Sequence, residues 1–289
     1  MAHNAEKDAV TGVETTGHEW DGIKELNNPL PRWWLWTFYI TVLWSIGYWV
    51  VYPAWPLVSS YTEGMFGYSS RQEVMDRIAE AKEAQSEYLG KIETASLDEI
   101  RGDSELLNFA LAGGRSAFAV NCSQCHGQGA QGFVGYPNLN DDAWIWGGKP
   151  DEIMTTILYG IRSDHDDTRY SEMPAFGRDG LLERPQINEV VEYVLQISGQ
   201  DHDSGMATAG KDVFVEQCAA CHGENGEGIR ETGAPRLTDS IWLYGGDRDT
   251  LRATVTNARY GVMPAWTGRL DEATIKQLAV YVHSLGGGE

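Results

Sequence analysis

Cys122-Ser-Gln-Cys125-His126 and Cys218-Ala-Ala-Cys221-His222 decide how this chain is read. Two cysteines one helical turn apart, followed at once by a histidine, form the attachment site for c-type haem. The thiols become thioethers to the porphyrin and the imidazole becomes the proximal iron ligand. Two such runs predict two covalently bound haem c groups. Met173-Pro174 lies 47 residues after His126, and Met263-Pro264 lies 41 after His222. A loop methionine at that distance supplies the second axial ligand. His/Met ligation fills both axial positions and raises the potential, which suits electron transfer rather than oxygen activation. The candidate haem-binding residues are therefore Cys122, Cys125, His126, Met173, Cys218, Cys221, His222 and Met263, with His126, Met173, His222 and Met263 on iron. Two competing readings are a single four-cysteine zinc site and a thiol redox pair. Both fare worse, because each pair ends in histidine, all four cysteines of the chain are used, and each pair has its own downstream Met-Pro.

The motifs belong to an internal repeat. Gly114-Arg-Ser-Ala-Phe118 answers Gly210-Lys-Asp-Val-Phe214 at an offset of 96, and Asp142-Ala-Trp-Ile-Trp-Gly-Gly148 answers Ser240-Ile-Trp-Leu-Tyr-Gly-Gly246 at 98. Met173-Pro-Ala answers Met263-Pro-Ala at 90, so the first unit carries an extra loop, Ile161 to Ser171. Ile187 to Ile197 and Ile275 to Leu285 read as closing amphipathic helices. Units of this size are small for a helical core, and a covalent haem replaces much of it. Phe118 and Phe214 are expected to pack on the closing helix. The carbonyls of Pro137 and Pro235 are expected to face the proximal imidazole N–H, and Trp144 and Trp242 to lie near a haem edge or in the core. His3, His18, His165, His202 and His283 lack the repeat symmetry of the two methionines, as do Met65, Met75, Met154 and Met206.

Trp33 to Tyr52 contains no charge and no proline. As a helix it spans about 30 Å, the thickness of a bilayer core. Trp33, Trp34 and Trp36 at one end, and Trp49, Tyr52 and Trp55 at the other, read as interfacial belts. A cleaved signal peptide fits worse, since the run starts late and ends in Pro53-Ala-Trp-Pro56. Lys7, Lys24 and Arg32 precede the span and the next basic residue is Arg71, which places the N-terminus in the cytoplasm. Met1 to Gly17 reads as disordered. A helix is expected from about Arg71 after Ser69 or Ser70, with a second over Leu97 to Leu111, and Gly113-Gly114 is expected to open the first haem unit.

The chain carries 42 acidic against 22 Lys and Arg residues, a net charge of -20 before any haem propionate. That acidity, spread along the chain, excludes nucleic acid as a partner. It suits a donor protein with a basic face.

The fold class expected is mainly α, with one N-terminal transmembrane helix followed by two tandem class I cytochrome c domains. The division is a cytoplasmic segment 1–31, an anchor 32–56, a periplasmic helical linker 57–113, and cytochrome domains 114–199 and 200–289. Trp20-Asp-Gly-Ile23, Asn28-Pro-Leu-Pro-Arg-Trp-Trp34, the single span, Gly67-Tyr-Ser-Ser-Arg71 and the two Met-Pro-Ala units together resemble the diheme subunit III, CcoP or FixP, of cbb3-type cytochrome c oxidase. That resemblance implies a bacterial inner-membrane electron relay with periplasmic haem domains. It takes electrons from donor cytochromes c and passes them to a monohaem subunit and a catalytic subunit. No residue here builds an oxygen-reducing centre, so the chain is read as a relay and not itself an enzyme. A cytochrome subunit of a periplasmic dehydrogenase and a free-standing tethered carrier are the competing functions. In a tightly apposed pair the methionines serve either their own motif or each other's, and spacing alone does not choose between these.

Overall fold

The computed structural model describes residues 5 to 287. It divides into two compact units, Met1–Glu83 and Ala84–Glu289.

In the first unit, the Asp8 carboxylate accepts from the N–H and the hydroxyl of Thr11, both at 2.7 Å, and pairing of Lys7 with Glu14 closes the turn. Strands β1 (Thr15–Trp20) and β2 (Ile23–Leu26) follow as an antiparallel hairpin. They turn through Asp21-Gly22, both at positive φ, as the right-handed twist of a two-residue hairpin requires. Residues 5–17 are thus ordered, contrary to the sequence expectation, because turn chemistry rather than apolar burial shapes them. Residues 1–4, His3 among them, lie outside the described residues.

Pro31 ends the extended approach and α1 (Arg32–Val51) begins. Its twenty residues include none that is buried, and it is long and apolar enough to cross a bilayer. The carbonyls of Val50 and Val51 at its C-terminal end accept from Met65 (3.0 Å) and Phe66 (3.2 Å) as the chain folds back. Gly64 makes that return possible, since a Cβ there would enter the Val51 carbonyl. Helix α2 (Ser70–Thr94) starts where Ser69 Oγ accepts from the Gln72 N–H at 3.3 Å.

The second unit holds α3 (Leu97–Gly102), α4 (Ser104–Asn121), α5 (Ser123–His126), α6 (Pro150–Tyr159) and α7 (Arg184–Ile197). Then come α8 (Ser204–Gln217), α9 (Ala219–His222), α10 (Arg248–Asn257) and α11 (Glu272–His283). The break expected at Gly113-Gly114 falls instead at Asp103. Its carboxylate accepts from the Glu105 and Leu106 N–H groups (2.9 and 3.0 Å), starting α4, which runs through both glycines without interruption. Each glycine in a helix costs about 1 kcal/mol relative to alanine. The gain is close approach, because a Cβ on Gly114 would enter the backbone carbonyl of Gln277 on α11.

That contact reveals the architecture: each repeat is closed by the other repeat's last helix. Helix α4 packs on α11, with Phe118 and Tyr281 ring centroids 5.6 Å apart, and α8 packs on α7, with Phe214 and Tyr193 5.1 Å apart. Gly210 repeats the role of Gly114, lying against the Glu189 carbonyl of α7. Phe118 and Phe214 are 2% and 0% exposed, so each contributes on the order of 2–3 kcal/mol of apolar burial to its crossing. One core joins Phe118, Ile153, Leu278 and Val282, and a second joins Val190, Val194, Phe214 and Leu251. Polar ties reinforce the pairing. Lys276 Nζ on α11 donates to the carbonyls of Ile92 (3.3 Å), Glu93 (2.7 Å) and Ala95 (2.9 Å), closing the end of α2. Glu192 on α7 accepts from Arg248 (2.6 and 3.1 Å) and from the Asp203 N–H (2.8 Å) that begins α8.

Candidate haem sites

Each cysteine pair lies where a long helix ends in a single further turn. Cys122 closes α4 and Cys218 closes α8; Cys125 and His126 then bond back to the Cys122 carbonyl (3.1 and 2.9 Å), as Cys221 and His222 do to that of Cys218 (3.1 and 3.0 Å). Burial pushes the Cys122 and Cys218 thiols up to about 11. A redox C-x-x-C pair needs the opposite shift. Cys122 and Cys218 pack on separate cores, and among the described residues no three of the His, Cys, Asp or Glu side chains come together as a metal site, which counts against the four-cysteine zinc reading.

After each histidine the chain doubles back. Gly132 N–H donates to the His126 carbonyl (2.8 Å) and Gly228 N–H to that of His222 (2.7 Å), which carries the next segment across the imidazole. His126 Nδ1 lies 3.1 Å from the Pro137 carbonyl, and His222 Nδ1 lies 2.9 Å from that of Pro235. A carbonyl only accepts, so both Nδ1 atoms carry the proton and both Nε2 lone pairs remain for a metal. Burial lowers the pKa of both rings, which keeps them neutral.

The methionines follow the exchanged helices. Met263 packs against the core that holds Phe118, Cys122 and Trp144, and its N–H and carbonyl pair with Ile161 at 3.0 and 2.9 Å. Met173 packs with Phe176 and Ile187, beside Val213 of α8 and Val255 of α10. Met263 therefore shares a core with Cys122 of the first repeat, and Met173 lies beside α8, the helix that leads to Cys218. One cavity of about 570 Å³ is lined by both histidines, both methionines and all four cysteines. Haem c fits this donor set: paired thiols one turn apart, an imidazole with its outer nitrogen engaged, and a thioether brought to the same apolar space. Trp144 and Trp242 line the cavity as well, and Trp144 Nε1 donates to the Gly287 carbonyl.

His165 and His202 take other work. His165 Nδ1 accepts from the Asp167 N–H (3.0 Å) and its ring packs on Tyr159, while His202 Nδ1 faces the Gln200 carbonyl at 2.9 Å. Two arginines outside the haem motifs also pack at this site. Arg169 lies over the Trp146 ring (5.5 Å) and Arg259 over Tyr244 (5.4 Å). Trp146 in turn covers Gly233 and Tyr244 covers Gly135, so each aromatic ring meets the proline-bearing loop of the other repeat. The signal was present: Arg169-Tyr-x-x-Met173 and Arg259-Tyr-x-x-Met263 share the offset of 90.

Two family models match this chain. The N-terminal domain of cytochrome oxidase-cbb3, FixP, matches residues 12–59, and subunit III of cbb3-type cytochrome c oxidase matches 109–194 and 205–282. Among similar curated proteins, the cbb3-type cytochrome c oxidase subunit CcoP of Azospirillum brasilense is 56% identical, over 98% of this chain and 99% of its own length. CcoP of Cereibacter sphaeroides is 57% identical over 95% of both chains. The subunit FixP of Bradyrhizobium diazoefficiens is 53% identical over the whole of both.

Proposed function

This chain belongs to the subunit III family of cbb3-type cytochrome c oxidases, and from that premise we propose that it is the membrane-anchored, diheme electron relay of such an oxidase. Haem c, when bound, supplies a one-electron iron couple. Cys122 and Cys125 would hold one group and Cys218 and Cys221 the other, with His126 and Met263 the ligands for the first iron and His222 and Met173 those for the second. The observation that carries this reading is the pair of imidazoles whose Nδ1–H groups are fixed by prolyl carbonyls, lining one cavity with both methionines. A histidine and a methionine for each iron would leave neither iron a place for oxygen, so in this reading reduction of oxygen belongs to a separate catalytic subunit.

Residues 32–56 act as a single anchor with 1–31 in the cytoplasm, and 57–113 lead to two periplasmic haem domains, 114–199 and 200–289 by sequence. Electrons arrive from a donor cytochrome c with a basic face. They leave toward a monohaem subunit and the catalytic subunit. Purification from native membranes in mild detergent tests the assignment. Copper and b-type haem are expected to travel with this chain, whereas recovery of the chain alone with only c-type haem would leave a free tethered carrier.

A further inference from the structure

Arg162 has no counterpart in the second repeat. Helices α6 and α10 end at equivalent points, Gly160 and Ala258, both at positive φ. The second repeat then proceeds directly to Arg259, while the first inserts residues 161–168 before Arg169. Within that insertion Arg162 adopts a φ of 52°, uncommon for a residue with a Cβ, and its side chain runs between the two methionine segments. Nε donates to the Gly261 carbonyl at 2.7 Å and Nη1 to the Ser171 carbonyl at 2.8 Å, with the guanidinium over the Tyr260 ring at 5.6 Å. Ser171 and Gly261 are themselves repeat equivalents, each two residues before its methionine. A single planar fork thus holds the same carbonyl in both copies, which places Arg162 between the two halves of the pseudo-symmetric pair.

The remaining tethers are unequal. Past the methionines the segments are held alike, by Phe176 N–H on the Val255 carbonyl (3.1 Å) and Trp266 N–H on that of Ile157 (3.1 Å). Met263 has two further backbone bonds to Ile161, and no bond of that kind is described for Met173. We propose that Arg162 is a positioning residue that ties the two methionine segments to each other, and that Met173 depends on it more than Met263 does. This rests on the exchanged His/Met reading above.

The test uses the full haem-loaded chain in its complex. Met263→Ala leaves only the Met173 thioether-to-iron band in the near infrared, and Met173→Ala leaves only that of Met263. Retention of both bands in either variant overturns the ligation reading, and this inference with it. Added to Met263→Ala, Arg162→Gln is expected to abolish the remaining band and let imidazole bind that iron, with both haems still covalently attached. Added to Met173→Ala, it is expected to leave the remaining band in place. Arg162→Lys keeps the charge but not the planar fork and is expected to weaken the Met173 band. It decides the matter if the glutamine variant is not recovered with haem. Survival of the Met173 band at full intensity with no imidazole binding, or loss confined to the Met263 band, overturns the role of Arg162.

Discussion

At the scale of single residues, Glu192 shows how one side chain joins three elements. It sits on α7, 5% exposed, and accepts from Arg248 at the start of α10 and from the Asp203 N–H at the start of α8. The equivalent position on α11 is Val280, also buried, so the carboxylate is a feature of one copy only. The Arg248 hydrogen bond holds its pKa below the ordinary carboxylate value. Stability from this group is therefore complete above the unfolded-state pKa of about 4.3 and is lost as pH falls through the lower native value. Glu192→Gln should lower stability at neutral pH by about 2 kcal/mol, the scale of hydrogen bonds to a charged group. The same change should flatten the acid limb of a thermal-melting series. Melting curves between neutral and acid pH check both parts, and parallel curves for the two proteins would refute the linkage.

At the scale of elements, the two helix crossings are built from a glycine against a carbonyl and a phenylalanine against a tyrosine. Gly114→Val should separate α4 from α11, and Gly210→Val should separate α8 from α7. Each should cost at least the 1–3 kcal/mol of ordinary overpacking, because the obstacle is backbone rather than a movable side chain. Loss of haem retention during heating is the measurement, with Gly90→Val on α2, where a Cβ meets nothing, as the control. The helices, the Gly-x-x-x-Phe pairing and the prolyl carbonyls were legible in the sequence because each rests on spacing within one repeat. The exchange was not legible. Helices α7 and α11 carry Tyr193 and Tyr281, and Val194 and Val282, at matching positions, so either offers the same apolar face to either partner. What separates them lies outside the pattern, in the inserted residues 161–168, in Lys276 capping α2 and in Glu192 binding the start of α8. The ordered turn at residues 5–17 escaped for a different reason, since it is made by hydrogen bonds of Asp8 and Thr11 and contains no hydrophobic period.

At the scale of the whole molecule, a net charge of -20 sets how a mobile partner approaches. A donor with a basic face should be steered at low ionic strength. Donor-supported turnover should fall between about 0.01 M salt, where the Debye length is roughly 30 Å, and about 0.15 M, where it is roughly 8 Å. Stopped-flow reduction by a basic cytochrome c across that series checks it, and a rate that stays level or rises with salt excludes steering by this surface. The exchanged closure carries a consequence in time. Ribosomes deliver the chain from its N-terminus, so Cys122 and His126 emerge long before α11, which packs on the helix that leads to them. The core of α7, α8 and α10 is complete in the chain before α11 is made, whereas the core of α4 waits for α11, so a chain cut short after the first repeat leaves Phe118 without its closing helix. Order of synthesis is thus the reverse of order of completion: the helix that bears the first Cys-x-x-Cys-His run is the last to find its closing partner.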